Sequence, residues 1–117
     1  MNEQYHKSLI RKLVSNARAI ITEEIGLSVG CSKMYKILKW LEPFEMVKVA
    51  EINVFEKYDV ETQYIPSGTA RLYCSNETFK RYDDALQEVN CKYRVKVISV
   101  CFEIIDIYGE KENRLNL

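Results

Sequence analysis

An all-α fold, a compact bundle of about four helices, is what the chain predicts, and three observations predict it. Nine apolar residues from Phe79 to Ile107 recur in steps of three or four, a second stripe of the same period opens the chain, and only four Gly and two Pro interrupt 117 residues. That length fits one domain, 1–117, and a chain of this size buries roughly two thirds of the surface its unfolded form exposes. A composition that is 47% hydrophobic and 29% charged excludes collagen-like and disordered classes. Eight tyrosines suit half-buried positions and interfaces, because each joins an apolar ring to a polar tip.

The first element runs from Asn2 to about Gly26, with Tyr5, Leu9, Leu13, Ala17, Ile20 and Ile21 on one face and Ile10, Val14 and Ile25 widening it. Gly26 is expected to close it in the left-handed conformation, and Ser28 to cap the next helix, Val29 to Glu42. Gly30 is expected to let the two helices approach closely. Pro43 ends the second helix. Residues 44–66 are an irregular middle segment with a short helix around Ile52, Phe55 and Tyr58, although Val47, Val49, Ile52 and Val54 also fit a strand. Pro66, Ser67 and Gly68 mark a turn.

Ser75 is placed to cap the long final helix, with Glu77 in its first turn. Its stripe comprises Phe79, Tyr82, Leu86, Val89, Tyr93, Val97, Val100, Ile104 and Ile107. YRVKVISV, residues 93–100, alternates as a strand does, but the stripe continues through both flanks and decides for helix. Gly109 is its expected end. Leu13, Ala17, Ile20, Leu38, Leu86, Tyr93, Val97, Val100 and Ile104 are expected in the core.

No segment resembles a signal peptide or an apolar run of 18 residues, so the expected location is the cytoplasm, without membrane contact. Cys31, Cys74, Cys91 and Cys101 match no disulfide framework and no CxxC motif, and are expected as reduced, buried thiols. One histidine and scattered cysteines supply no zinc set, and phosphate-binding, dinucleotide-binding and hydrolase motifs are absent. Asp83, Asp84 and Glu88 lie close on the last helix, where a solvated face is expected rather than a cation site. Two enzymatic arrangements come into question: a thiol enzyme at Cys31, one turn into a helix beside Lys33, and a ribonuclease built on His6 and Arg11. Neither has the partners its chemistry needs, so no catalytic residue, metal or cofactor is expected.

Net charge is zero, which removes bulk charge as an argument for direct nucleic-acid binding, but the charge is uneven. Residues 1–41 carry seven Lys/Arg against three Asp/Glu; residues 42–61 carry two against six. The second stretch is an acidic island.

The segments ARAIITEEIGLSVGC (17–31), FEKYDVETQYIPSGTARLY (55–73), SNETFKRYDDALQEVNCKYR (75–94) and CFEII (101–105) together resemble a family of small uncharacterised bacterial helical-domain proteins. Some of these are immunity proteins paired with toxins of the contact-dependent inhibition type. The resemblance implies no catalytic residues, and it suggests a polar network of Arg18, Glu61 and Arg71 stapling the first helix to the middle segment. It also implies a monomer that binds and neutralises a cognate toxin domain of nuclease class. The acidic island suits such a role, since Glu42, Glu45, Glu51, Glu56, Asp59 and Glu61 would steer a basic partner, with Phe55 and Tyr58 as aromatic anchors. The alternatives are a structural or regulatory module that self-associates through its tyrosine-rich surface, and a small ribonuclease.

Overall fold

The computed structural model describes residues 2–65 and 75–115, with side chains from 3–65 and 75–109. Four helices follow one another: α1 (Asn2–Ile21), α2 (Leu27–Leu41), α3 (Val54–Thr62) and α4 (Asn76–Leu115). No strand occurs among the described residues, so the stretches 47–54 and 93–100 resolve as non-strand. The turn at Pro66–Gly68, together with Arg71 and Cys74, lies outside the described residues.

The apolar period of α1 buries Leu9, Ile10, Leu13, Val14, Ala17 and Ile20. Tyr5, which the same period includes, is half exposed because it lies at the open end of the bundle against Phe44. α1 stops five residues before Gly26, and the residue that turns left-handed is Glu23, at φ 62°. Gly26 instead sits extended at φ −66°, ψ 158° as the N-cap of α2, which starts at Leu27 and places Ser28 inside the helix. The expectation of a left-handed Gly26 is therefore corrected: any residue adopts its conformation, and a Cβ there meets nothing within 4 Å.

Gly30 does what the sequence suggests. A Cβ on it would lie 2.4 Å from Ile20 Cγ1, and Asn16 donates through Nδ2 to the Gly30 carbonyl at 2.9 Å, so α1 and α2 meet backbone to side chain. That bond satisfies Asn16, the one buried polar side chain of the core among the described residues.

α2 ends where Pro43 removes the next amide donor, with Phe44 and Glu45 amides bonding back to the Leu41 carbonyl. α3 buries Val54, Phe55 and Tyr58 at the i, i+1, i+4 positions of one face. In α4 the Thr78 amide donates to Ser75 Oγ at 3.1 Å, as a cap requires. Burial begins only at Val89 and continues through Tyr93, Val97, Val100, Cys101, Ile104 and Tyr108. The turns before Val89 project past the other helices, which leaves Phe79 exposed and Leu86 half-buried rather than core. Leu38 is likewise only partly buried against the core.

At the other end Tyr108 replaces Ile107 as the last buried apolar side chain among the described residues, since a step of four from Ile104 stays on the buried face. α4 also runs through Gly109 to Leu115: no proline follows, and a Cβ placed on Gly109 would meet Ile105 and Arg18 at ordinary contact distance. Buried side chains from all four helices join in one cluster.

Three core tyrosines use both halves of the side chain. Tyr58 donates to Asn90 Oδ1 at 2.5 Å, Tyr93 donates to Glu61, and Tyr108 accepts from the Lys48 amide at 3.2 Å. Each hydroxyl ties α3, or the chain before it, to α4. Much of the tyrosine surplus is thus spent inside the bundle rather than on an association surface.

Candidate functional site, the acidic groove between α2 and α3

The link from α2 to α3 is short on regular structure yet pinned along its length. Phe44 stacks on the His6 ring at 5.3 Å and meets Tyr5 edge-on, while His6 Nε2 pairs with Glu45 at 2.5 Å. Val47 and Val49 are buried on either side of Lys48, whose amide reaches Tyr108. Glu51 then turns left-handed at φ 59°, and the Val54 amide returns to its carbonyl at 3.0 Å, starting α3.

Between Glu45 and Val47 the chain holds out Met46, which is 80% exposed. It borders a groove of about 350 Å³ walled by Tyr35, Leu38 and Lys39 of α2 and by Ile52 and Glu56 near α3. Glu42, Glu45 and Glu56 rim this groove, so three of the residues expected to meet a partner converge. Glu42 pairs with Lys39 at 3.6 Å on an exposed surface, and Glu56 and Asp59 form no salt bridge among the described residues.

The remaining expected site residues go elsewhere. Phe55 and Tyr58 are 0% and 2% exposed, so they are core side chains and cannot be docking anchors; the one-sided face of α3 buries them. Glu51 pairs with Lys96 across the surface at 3.4 Å. Asp59 is partly buried and outside the groove. Glu61 bonds Tyr93 and, at 3.1 Å, Lys92; the Tyr93 hydroxyl first and Lys92 second hold its carboxyl below the usual range.

Glu61 thus ties the middle segment to α4, while Arg71, the third member of the expected network, lies outside the described residues. Arg18 is on the exposed side of α1 with its guanidinium near Gly109. Met46 is the groove residue that charge counting passes over. Its signal was present: an apolar side chain directly after Glu45, out of phase with the buried Val47 and Val49.

The arrangements weighed for catalysis are not assembled. His6 is engaged by Glu45 and Phe44, while Arg11 lines a different groove on the far side of α2. Burial, and secondarily the neighbouring Cys101, pushes the Cys31 thiol up to about 12, and burial does the same to Cys101. Both are protonated at neutral pH, whereas Cys91 is exposed rather than buried as expected, because it points away from α1 and α3. No cluster of His, Cys, Asp or Glu that could hold a metal occurs among the described residues, and no helix among them is long and apolar enough to cross a membrane. No family model, curated protein or solved structure matches the chain.

Proposed function

We propose that the protein is a non-catalytic binding domain of the immunity type, which neutralises a cognate toxin domain of nuclease class in the cytoplasm by docking through the acidic groove. The observation that supports this reading is Met46, 80% exposed on a pinned link and rimmed by Glu42, Glu45 and Glu56.

A backbone already fixed need not be ordered on docking, so the entropy lost there is confined to the rotamers of the side chain itself. Methionine is also soft enough to fill an irregular pocket on a partner. The carboxylates add charge complementary to a surface that binds phosphate. Glu42 pairs with Lys39 on an exposed surface, worth about 1 kcal/mol or less, and Glu56 forms no salt bridge among the described residues, so both are open to a partner's cations, while Glu45 is held by His6. Met46 takes the anchoring role that the sequence assigned to Phe55 and Tyr58.

The test is co-expression with the toxic C-terminal domain of a large secreted protein encoded beside this chain's own gene. The unaltered chain restores growth. Glu42→Lys with Glu56→Lys abolishes protection while the fold, checked by circular dichroism, persists, and Met46→Ala weakens binding about tenfold. Full protection by the folded double variant would remove the groove from the interface; a neighbouring gene set devoted to metabolism would remove the immunity reading.

A further inference from the structure

On its other flank α2 meets α1, and there the charge is reversed. Lys33, Lys36 and Trp40 follow one another at helical spacing on α2, facing Arg11 and Lys12 on α1. Together they surround a groove of about 680 Å³, within the range of roughly 300–1,000 Å³ typical of small-ligand sites. Its floor is apolar, from Ile37, Ile25 and Ala19. At about 100° per residue, the mean direction of positions 33, 36 and 40 lies about a third of a turn from that of positions 35, 39 and 42, which wall the acidic groove. The two grooves therefore flank the buried face of α2 on opposite sides.

Three observations single this groove out. None of its four cations forms a salt bridge among the described residues, and they gather on two facing walls, Arg11 and Lys12 on α1 and Lys33 and Lys36 on α2. No carboxylate among the described residues lines it. Trp40, the chain's single tryptophan, is 47% exposed within it. Four unpaired cations on two walls repel one another and are relieved by an anion. A half-exposed indole between them offers a flat apolar face of the kind on which nucleobases stack. An acidic peptide would satisfy the charge but has no such use for the indole.

We propose that the groove binds a phosphate-bearing nucleobase ligand, with Trp40 as the stacking surface and Arg11, Lys12, Lys33 and Lys36 contacting phosphate. The ligand is a free nucleotide or a single strand, since both present the same base and phosphate chemistry. Zero net charge conceals this site, because the acidic island cancels it in the sum but lies on another face. The proposal is independent of toxin binding.

Because the chain has one tryptophan, its emission reports on this groove directly. The purified protein is titrated at 50 mM salt with adenosine monophosphate, with a 12-nucleotide oligodeoxyadenylate and with a 12-residue polyglutamate peptide, and oligonucleotide binding is followed in parallel by anisotropy of an end label. The expected result is quenching of Trp40 by a nucleobase ligand. Binding weakens about tenfold in Trp40→Ala and by at least as much in Lys33→Ala/Lys36→Ala, with Lys80→Ala, on an exposed part of α4, unchanged. Raising salt from 50 to 200 mM weakens strand binding about 50-fold if all four cations contact phosphate. Quenching by the monophosphate alone assigns the groove to a nucleotide, and much tighter binding of the oligonucleotide assigns it to a strand. Polyglutamate binding as tight as that of the oligonucleotide, with no loss in Trp40→Ala, would overturn the proposal in favour of an acidic protein segment. Unchanged emission and anisotropy with both nucleobase ligands would overturn it outright.

Discussion

Replacing Gly30 by alanine adds one methyl group to the tightest contact in the bundle. The new Cβ would sit 2.4 Å from Ile20 Cγ1, 2.9 Å from Ile20 Cδ1 and 3.3 Å from Ile25 Cδ1, whereas comfortable carbon contacts lie at about 3.5–4.0 Å. Ile20 is 4% exposed and β-branched on a helix, so it has no spare rotamer to retreat into, and α2 must lift from α1. Overpacking of this kind costs about 1–3 kcal/mol. Alanine's better helix propensity returns up to about 1 kcal/mol, while lifting α2 also stretches the buried Asn16 bond to the Gly30 carbonyl. The expected net loss is about 2 kcal/mol, a fall of about 1 M in the urea midpoint at a slope near 2 kcal/mol/M. Chemical denaturation followed by far-UV circular dichroism measures it. In an Ile20→Ala background the added methyl enters the vacated space, so the double variant should be more stable than the summed single effects by at least about 1 kcal/mol. Wild-type stability for Gly30→Ala, or strict additivity with Ile20→Ala, would refute the close approach.

Three further expectations concern stability. Glu23→Gly should stabilise the chain by about 0.5–1 kcal/mol, since φ 62° strains a residue with a Cβ and the exposed pair with Arg94 at 3.9 Å contributes little; thermal unfolding should show the gain, while Gly26→Ala leaves the midpoint nearly unchanged. The buried thiols predict alkaline instability: with Cys31 and Cys101 each raised from 9.0 to about 12, their contribution is intact below pH 9 and is lost as pH rises towards 12, by about 1 kcal/mol per thiol at pH 10. Cys31→Ala/Cys101→Ala should flatten that decline in a pH series of urea midpoints. On the acid side Glu61 has the opposite sign, its stabilisation present above the usual carboxylate range and lost as pH falls below it.

The helices were legible because their stripes are long. Leu9 to Ile20 and Val89 to Ile104 keep helical period through several turns, Pro43 stops α2 where its missing amide requires, and Ser75 caps α4. Glycines were misread because a glycine signals permission, not use. Gly26 is an extended N-cap and Gly109 a helical residue, while a glutamate takes the left-handed turn expected of Gly26. The acidic groove was half legible. Charge density marked Glu42, Glu45 and Glu56, but which aromatic faces water depends on the rotation of α3 about its axis, and nine residues, Val54–Thr62, are too few to fix that from period alone. The basic groove was visible only as the excess of Lys and Arg in residues 1–41, because its two walls are more than 20 positions apart and meet only when α2 folds back on α1.

Gly30 also bears on how the two flanks of α2 communicate. A helix shared by two binding surfaces relays occupancy from one to the other only if it has a second position to occupy, and rolling is the motion that would move both walls at once. Ile20 wedged against the Gly30 backbone and the Asn16 bond to its carbonyl both oppose such a roll. To the extent that the wedge holds α2 in place, a ligand in one groove would carry little differential free energy for the other, and their affinities would be set separately. Such a helix is a partition: each face is free to change its specificity by substitution without disturbing what the opposite face holds.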